Sequence, residues 1–303
     1  MRLKNNWLLF VIFHVLFMGV WGALIEIPEK NGFPATLGYV VWALTMVPAS
    51  LIALKMNKWK LQTDSKSIFW GCLAGFLGAI GQLVLFIILK IAPAYLVFPL
   101  LSLTPVVTIL LAVVFLRERT GRVGWIGIVI AILAIIMLSY QPEGDTTVEG
   151  YFWMVLTAIP LLSWGAQGFV IRFANEKMSA ESLFFYMMVS SLWLVPIALW
   201  MTDFDEPINY GIDGPWLAGA IQILNAFGAL FLVFAFRYGK AIIVAPMTTA
   251  LSPVLTVVLS LGIYALIPHN IIIGGMVLSI IAAFLMGVEE TQVEETYIEE
   301  TTR

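Results

Sequence analysis

A chain of 303 residues in which 61% of the side chains are hydrophobic and only 12% are charged is too apolar for a soluble globular protein, where charged residues make up about 25%. Its mean hydropathy of +0.96 predicts a protein that crosses a membrane many times, and we expect an all-α fold for the reason given below. The formal net charge is only −3. The lone Cys72 excludes a disulfide framework and a cysteine-based metal site. The sequence also has no phosphate-binding P-loop, so we expect no cofactor, no metal and no ATP-driven step.

Ten apolar segments of about 20 residues, the length that crosses the hydrocarbon core, follow one another along the chain. They do not show the strict alternation of barrel strands, so each is predicted to be a helix. The first has no signal-peptide cleavage site and is expected to be retained. The ten predicted spans are residues 7–25, 35–54, 68–89, 92–115, 123–140, 151–172, 182–201, 216–236, 241–265 and 271–288.

Basic residues in the connecting segments predict the orientation. With the N-terminus inside, fourteen Lys and Arg residues fall in inner segments and only Lys30 and Lys90 fall in outer ones. Because Lys and Arg accumulate in cytoplasmic loops, we expect both termini in the cytoplasm, with the protein in the inner or plasma membrane of the cell. The acidic tail, residues 289–303, is then cytoplasmic, and a solvated, disordered end is its simplest interpretation.

The second half of the chain repeats the first. Three stretches align: residues 81–99 with 228–246 at a constant shift of 147, residues 103–108 with 251–256, and residues 21–23 with 164–166. Five helices in each half are an odd number, so the second half enters the membrane from the opposite side. We therefore predict two inverted five-helix repeats, residues 1–140 and 151–288, joined by an outer loop at 141–150.

These repeats carry a family resemblance. Each half has about 140 residues, a Trp-Gly pair in its first helix and a proline-rich fourth helix, and the first half has the charged turn LRER at residues 116–119. The chain thereby resembles the EamA-type members of the drug/metabolite transporter superfamily over nearly its whole length. The resemblance implies ten helices, an inverted-repeat fold and the movement of small organic metabolites or drugs. The counterpart of Glu118 in the second half is Leu266, so any role of that glutamate is not duplicated.

Prolines and hydroxyl side chains interrupt the fourth segment of each half. Pro105 and Pro253 each leave a backbone carbonyl of the preceding turn without its helical partner. Either the bent backbone and the hydroxyls line a wet cavity, or the hydroxyls bond back to their own helix and the prolines only bend it. The predicted kinks are Pro99, Pro105, Pro246 and Pro253, and the predicted hydroxyl contacts to substrate are Thr104, Thr108, Thr248, Ser252 and Thr256.

Other candidate contacts are polar or aromatic side chains inside the spans. Amides and an imidazole are unfavourable in lipid, so they should face the bundle interior. Tryptophans deep in the spans could form the apolar walls of a pocket, although core packing is equally compatible, and His14 is either a structural residue or linked to substrate or protons. The predicted contacts of this kind are His14, Trp21, Trp42, Gln82, Trp164, Gln222 and Asn225. Glycines that share the Gln82 face are expected to serve close helix packing.

Together these features predict a secondary transporter that moves a small organic metabolite, an amino acid or a drug-like amphiphile, by alternating access. Export is favoured, and an uptake permease for sugars or nucleosides and a non-transporting sensor or scaffold are the alternatives. An enzyme is not expected, because two histidines and one cysteine do not readily supply a nucleophile–base pair or metal cluster within the spans. The expected partners are a small-molecule substrate and the lipid bilayer, without nucleic acid, for a monomer or homodimer.

Overall fold

The computed structural model describes residues 6–92, 97, 100–101, 103–140, 152–264 and 269–302, and all regular structure within them is helical. The main helices are α1 (Trp7–Leu24), α2 (Ala35–Met56), α3 (Ser65–Ile91), α4 (Thr104–Leu111), α5 (Arg122–Leu138), α6 (Phe152–Asn175), α7 (Ala180–Trp193), α8 (Leu217–Tyr238), α9 (Ala241–Tyr264) and α10 (Asn270–Thr302). Short helical turns, Glu26–Lys30, Ala112–Leu116, Val195–Trp200 and Ile212–Trp216, adjoin α1, α4, α7 and α8.

Eight of the described helices are long and apolar enough to cross a membrane, and they coincide with eight of the ten predicted spans. The other two apolar helices are shorter, Thr104–Leu116 and Arg122–Leu138. Seven residues of the predicted fourth span, 92–115, and the whole predicted outer loop, 141–150, lie outside the described residues. The prediction of a helical, multi-pass membrane protein is therefore confirmed, whereas ten spans in two inverted repeats stay a prediction.

Local sequence explains where several helices begin and end. The Asp64 carboxylate accepts hydrogen bonds from the amide of Ser67 at 3.0 Å and its hydroxyl at 2.7 Å, which starts α3. These hydrogen bonds lower the pKa of Asp64 below its ordinary value.

The backbone of α10 stays helical as far as Thr302, although the acidic tail was expected to be disordered. Its glutamates are good helix formers, so they can extend a helix that the membrane has already started.

Contacts between loops divide the helix ends into two faces of the bundle. At one face, which we call the basic end, Asn57 after α2 donates to the Ser179 hydroxyl before α7 at 3.4 Å. At the opposite end, the backbone amide of Asn209 donates to Gly32 O at 3.0 Å, and the Tyr140 and His269 rings lie 4.7 Å apart. The basic end also holds the loops between α4 and α5 and between α8 and α9. The loops that carry most of the Lys and Arg residues therefore share one face.

Most of the helix packing joins the first half of the chain to the second. Helix α1 packs against α8 and α9, and α6 packs in the corresponding way against α3 and α4. Helix α2 packs against α7 and α8, and α7 packs against α2 and α3, while α5 packs against α10. Contacts between helices of different halves thus come in matched pairs.

Glycines on one face of α3 allow α7 and α6 to approach closely. A Cβ atom placed on Gly71 would lie 2.6 Å from Tyr186 Cβ, and one placed on Gly75 would lie 2.7 Å from Met187 Cα. Backbone then meets backbone without a side chain between them, which strengthens van der Waals contact where no hydrophobic force drives helix association. The glycine face predicted for α3 is a packing surface.

Candidate functional site

Two hydrogen bonds between indoles and amides join helices α1, α2 and α8. Trp21 Nε1 donates to Gln222 Oε1 at 3.0 Å, and Trp42 Nε1 donates to Asn225 Oδ1 at 2.8 Å. Gln222 and Asn225 are three residues apart and so share one face of α8. From the helical rise, Asn225 lies about 12 Å from the start of α8. It is therefore closer to the end of the bundle that lies opposite the basic end. The structure thus brings together four of the predicted contact residues, which we call the indole–amide cluster.

The indoles fix the orientation of both amides. An indole nitrogen can only donate a hydrogen bond, so each amide must turn its oxygen toward the tryptophan and its NH₂ group away. The Gln222 NH₂ group then donates to Gly38 O over a long 3.4 Å. The Asn225 NH₂ group has no hydrogen-bond acceptor among the described residues. The cluster consequently presents an unused N–H donor beside the Trp42 ring.

Neighbouring side chains hold the cluster in place. Tyr39 lies with its ring centre 5.3 Å from that of Trp42 and donates its hydroxyl proton to Ser191 O at 3.0 Å, so the Trp42 ring is fixed by neighbours on two sides. Trp42 and Asn225 are bonded to each other across two helices but both stay partly exposed. The protein therefore does not fully enclose their hydrogen bond.

The corresponding interface of the other half is built differently. The shift of 147 pairs Asn225 with Gly78, which has no side chain to offer. Trp164, the counterpart of Trp21, donates directly to Gly78 O at 3.0 Å, and Gln167 donates to Ala74 O at 3.0 Å. Helices α3 and α6 therefore hydrogen-bond through backbone carbonyls, and Trp164 lies apart from the indole–amide cluster.

Gln82 is also separate from the cluster. It lies on α3, is partly buried, and its side chain makes no hydrogen bond to another described residue. Its counterpart on α8 is Ala229, so this amide occurs in one half only.

The predicted hydroxyl contacts divide into three groups. Thr108 donates to Gly165 O at 2.8 Å and Thr256 to Gly19 O at 3.1 Å, so each joins a fourth helix to the first helix of the other half. Two others bond back within their own segment. These are Thr104, to Leu101 O at 2.6 Å, and Thr248, to Val244 O at 2.8 Å. The buried Ser252 hydroxyl has no partner in the described part of the chain.

The predicted kinks differ between the two halves. Pro105 lies in the first turn of α4, which begins at Thr104, and the first turn of a helix needs no N–H donor. Pro246 and Pro253 lie inside the continuous helix α9. Pro99 lies outside the described residues.

His14 lies at the crossing of α1 and α8. Its Nδ1 is 2.8 Å from Gly228 O, and since a carbonyl only accepts, Nδ1 carries the proton and donates it. The side chain is buried, with 7% of its surface exposed. His14 and Trp21 both contact α8, which places them on the inward face of α1 as predicted.

A buried charged cluster at the basic end was missed by the sequence reasoning. Glu118 Oε1 lies 2.8 Å from Arg172 Nε, and Glu118 Oε2 accepts the amide proton of Ile242 at 3.0 Å, at the start of α9. Arg117 adopts a left-handed backbone conformation with φ of 55°, which turns the chain so that Glu118 reaches that helix end. The LRER turn was the available signal, but its partner is 54 residues away.

Neither cluster has the composition of a metal site. Within the part of the chain that the structure describes, no three His, Cys, Asp or Glu side chains come together. The indole–amide cluster can bind by hydrogen bonds and aromatic contact, and the Glu118 cluster joins helix ends by charge.

Comparison with known proteins decides the family. The model of the EamA-like transporter family matches residues 5–140 and again residues 150–288. The chain belongs to the EamA-like transporter family. It is therefore a multi-pass membrane protein of a family of transporters, and the resemblance stated from the repeats and motifs is confirmed.

Two curated relatives of this EamA protein cover most of its length. The pseudopaline exporter CntI of Pseudomonas aeruginosa is 25% identical over 288 residues, 94% of this chain and 96% of that protein. Protein LicB of Haemophilus influenzae is 24% identical over 238 residues, 74% of this chain and 80% of that protein. One crystal structure, 15% identical, superimposes with a TM-score of 0.75 over 92% of this chain and 98% of its own, which shows a shared fold.

Proposed function

We propose that this EamA protein is a secondary transporter that exports a small organic metabolite by alternating access between two inverted five-helix halves. The observation that carries the proposal is the indole–amide cluster. Trp21 and Trp42 come from the first half, and Gln222 and Asn225 come from the second. In transporters built from inverted repeats the substrate lies between the halves, where both can contact it and where their relative motion changes access.

The matched packing of the helices supports two halves related by a two-fold axis. Contacts of α1 with α8 and α9 correspond to contacts of α6 with α3 and α4, as such an axis would require. The same family model matches each half of the chain, residues 5–140 and 150–288. Both observations favour two related halves that move against each other.

The relative and the cluster support the proposed direction of transport and class of substrate. CntI is an exporter, and the similarity covers 94% of the present chain, which favours export. Indole rings beside amide groups suit an amphipathic molecule such as an amino acid or a drug-like compound, because the rings contact its apolar part and the amides its polar part. We further propose that the basic end faces the cytoplasm of a cell whose inner membrane holds the protein.

Reconstitution tests transport directly. Vesicles containing the purified protein are loaded with a total metabolite extract, and the compounds released are followed by mass spectrometry against protein-free vesicles. We expect at least one compound to leave faster from the protein vesicles. Release should fall about tenfold or more for Trp42→Ala, since that variant removes a ring and a hydrogen bond. If nothing is released above the protein-free level, the protein is a sensor or scaffold and the proposal fails.

A second tryptophan provides the control for Trp42→Ala, and an experiment in cells tests whether the compound is exported or taken up. Trp193 lies on α7 with 75% of its surface exposed, so Trp193→Ala should keep the release of the unmodified protein. Cells that overproduce the protein should then accumulate the released compound in the medium. Accumulation inside the cells would instead identify an uptake permease.

A further inference from the structure

We infer that the substrate offers a carboxylate or carbonyl oxygen to the Asn225 amide and is neutral or zwitterionic as a whole. The inference rests on the proposed function and specifies the chemistry of the same site. It depends on which atoms of the indole–amide cluster are already used and which are free.

The first step is that the cluster has an N–H donor to give. Trp42 Nε1 donates to Asn225 Oδ1 at 2.8 Å, which uses one of the two lone pairs of that oxygen and directs the NH₂ group away from the indole. Trp21 does the same to Gln222 at 3.0 Å. A donor that is left without a partner in the membrane interior costs free energy, so an acceptor on the substrate is favoured at this position. An ammonium group only donates, so it cannot pair with this NH₂ group and could use only the second lone pair of an amide oxygen that already accepts from an indole.

The second step concerns charge. Helices α1, α2 and α8, all of whose residues are described, carry charged side chains only near the basic end, at Lys55 and Arg237. From the helical rise, Arg237 lies about 18 Å along α8 from Asn225. A free anion bound beside Asn225 would lose its water without gaining a counter-charge from these helices, which is unfavourable in a low dielectric. A zwitterion brings its own counter-charge, and a neutral carbonyl needs none.

The third step is that the corresponding position of the other half offers no amide. Gly78 replaces Asn225 in the other half, and the neighbouring Gln167 amide already donates to Ala74 O at 3.0 Å. A change at Asn225 should therefore alter specificity by itself, whereas a change at Gln167 should alter helix packing only.

Matched ligands test the inference. The thermal unfolding of the purified protein in detergent is measured with L-phenylalanine, L-leucine and L-methionine and with the three amines that lack only the carboxylate. We expect at least one amino acid to raise the unfolding temperature at concentrations about tenfold lower than its amine, as one good hydrogen bond would give. Equal stabilisation by amino acids and amines, or stabilisation by no member of the panel, would overturn the inference.

Variants locate the effect. Asn225→Asp keeps an oxygen for Trp42 and removes the NH₂ donor, so the preference for amino acids over amines should disappear or reverse. Asn225→Leu removes both groups and provides a second variant if the first does not fold. Gln167→Leu should lower the unfolding temperature and keep the preference. If folded Asn225→Asp or Asn225→Leu still prefers amino acids over amines to the same degree, Asn225 does not donate a hydrogen bond to the carboxylate.

The two proposals can fail separately. If loaded vesicles release a metabolite while no amino acid stabilises the protein better than its amine, the inference fails and transport stands. If amino acids are preferred but no compound leaves the vesicles, the site binds as inferred and the proposed function fails.

Discussion

Several polar side chains inside this bundle donate to a backbone carbonyl of another helix. His14 donates to Gly228 O, Thr108 to Gly165 O, and Asn175 to Val233 O at 2.9 Å. These carbonyls can accept a second hydrogen bond besides the helical one, and no water in the hydrocarbon competes for it. Each such bond is worth roughly 0.6 kcal/mol, so the bonds position helices more than they stabilise them.

For His14 we expect a structural role. The Nδ1 proton is donated to Gly228 O at 2.8 Å and the ring is closed to water, so a proton has no ready path to it. Flux measured between about pH 5 and 8, where imidazoles ordinarily titrate, should give the same profile for the unmodified protein and for His14→Gln. A variant that folds normally but loses its pH dependence would instead make His14 the proton-coupling residue.

The Glu118 cluster should behave as a buried ion pair. Glu118 and Arg172 side chains are only 6% and 19% exposed, so Glu118→Gln leaves the guanidinium poorly compensated and should lower the free energy of unfolding by about 3 kcal/mol. Arg172→Met combined with Glu118→Gln should cost less than the two single changes added together. Strict additivity in denaturant unfolding would contradict this coupling.

An exposed pair provides the control for that experiment. Glu26 and Lys30 lie 2.7 Å apart but are 66% and 62% exposed. Water screens such a pair, so Glu26→Gln should change the free energy of unfolding by less than about 1 kcal/mol.

At the candidate site, the sequence predicted the residue types better than their partners. Amides and a histidine in apolar segments had to face inward, and Gln222, Asn225 and His14 do. The pairing of Trp42 with Asn225 could not be predicted, because 183 residues separate them and only the packing of α2 on α8 brings them together. The pairing of Glu118 with Arg172 was missed for the same reason.

At the level of helices, hydropathy predicted existence and order well and boundaries less well. The predicted span 92–115 includes a helix that starts at Thr104, since Pro105 fits a first turn better than a helix interior. The predicted end at 288 lies inside α10, which continues to Thr302. Hydropathy indicates which residues lie in the hydrocarbon of the membrane, and a helix can continue beyond those residues.

Close packing of α3 makes its glycines sensitive to a single methyl group. Alanine at Gly75 would bring Cβ to 2.7 Å from Met187 Cα, and backbone cannot move aside as a side chain can. Gly75→Ala should therefore lower the free energy of unfolding by about 1–3 kcal/mol. Gly38→Ala is the control, because a Cβ there meets nothing within 4 Å. Equal unfolding temperatures for the two variants would show that α3 can shift to admit the methyl group.

For the whole molecule, the distribution of charge predicts which face meets the cytoplasm. In a Cys72→Ser background, single cysteines at Lys58, Arg119 and Lys177 should be protected from an impermeant thiol reagent added outside cells. Cysteines at Asp205 and at Asp145, which lies outside the described residues, should react. The physical reason is the retention of Lys and Arg on the cytoplasmic side during insertion. The reverse labelling pattern would refute the inverted topology with cytoplasmic termini.

The presence of Gly78 where the other half has Asn225 also bears on how many substrate molecules the proposed transporter would carry in each cycle. A protein assembled from two copies of the first half would have glycine at both equivalent positions, and one assembled from two copies of the second half would have two amides. This chain has one. Under the proposed function it would carry one substrate molecule per cycle, and its two predicted repeats would not be interchangeable, because only one of them has an amide at this position.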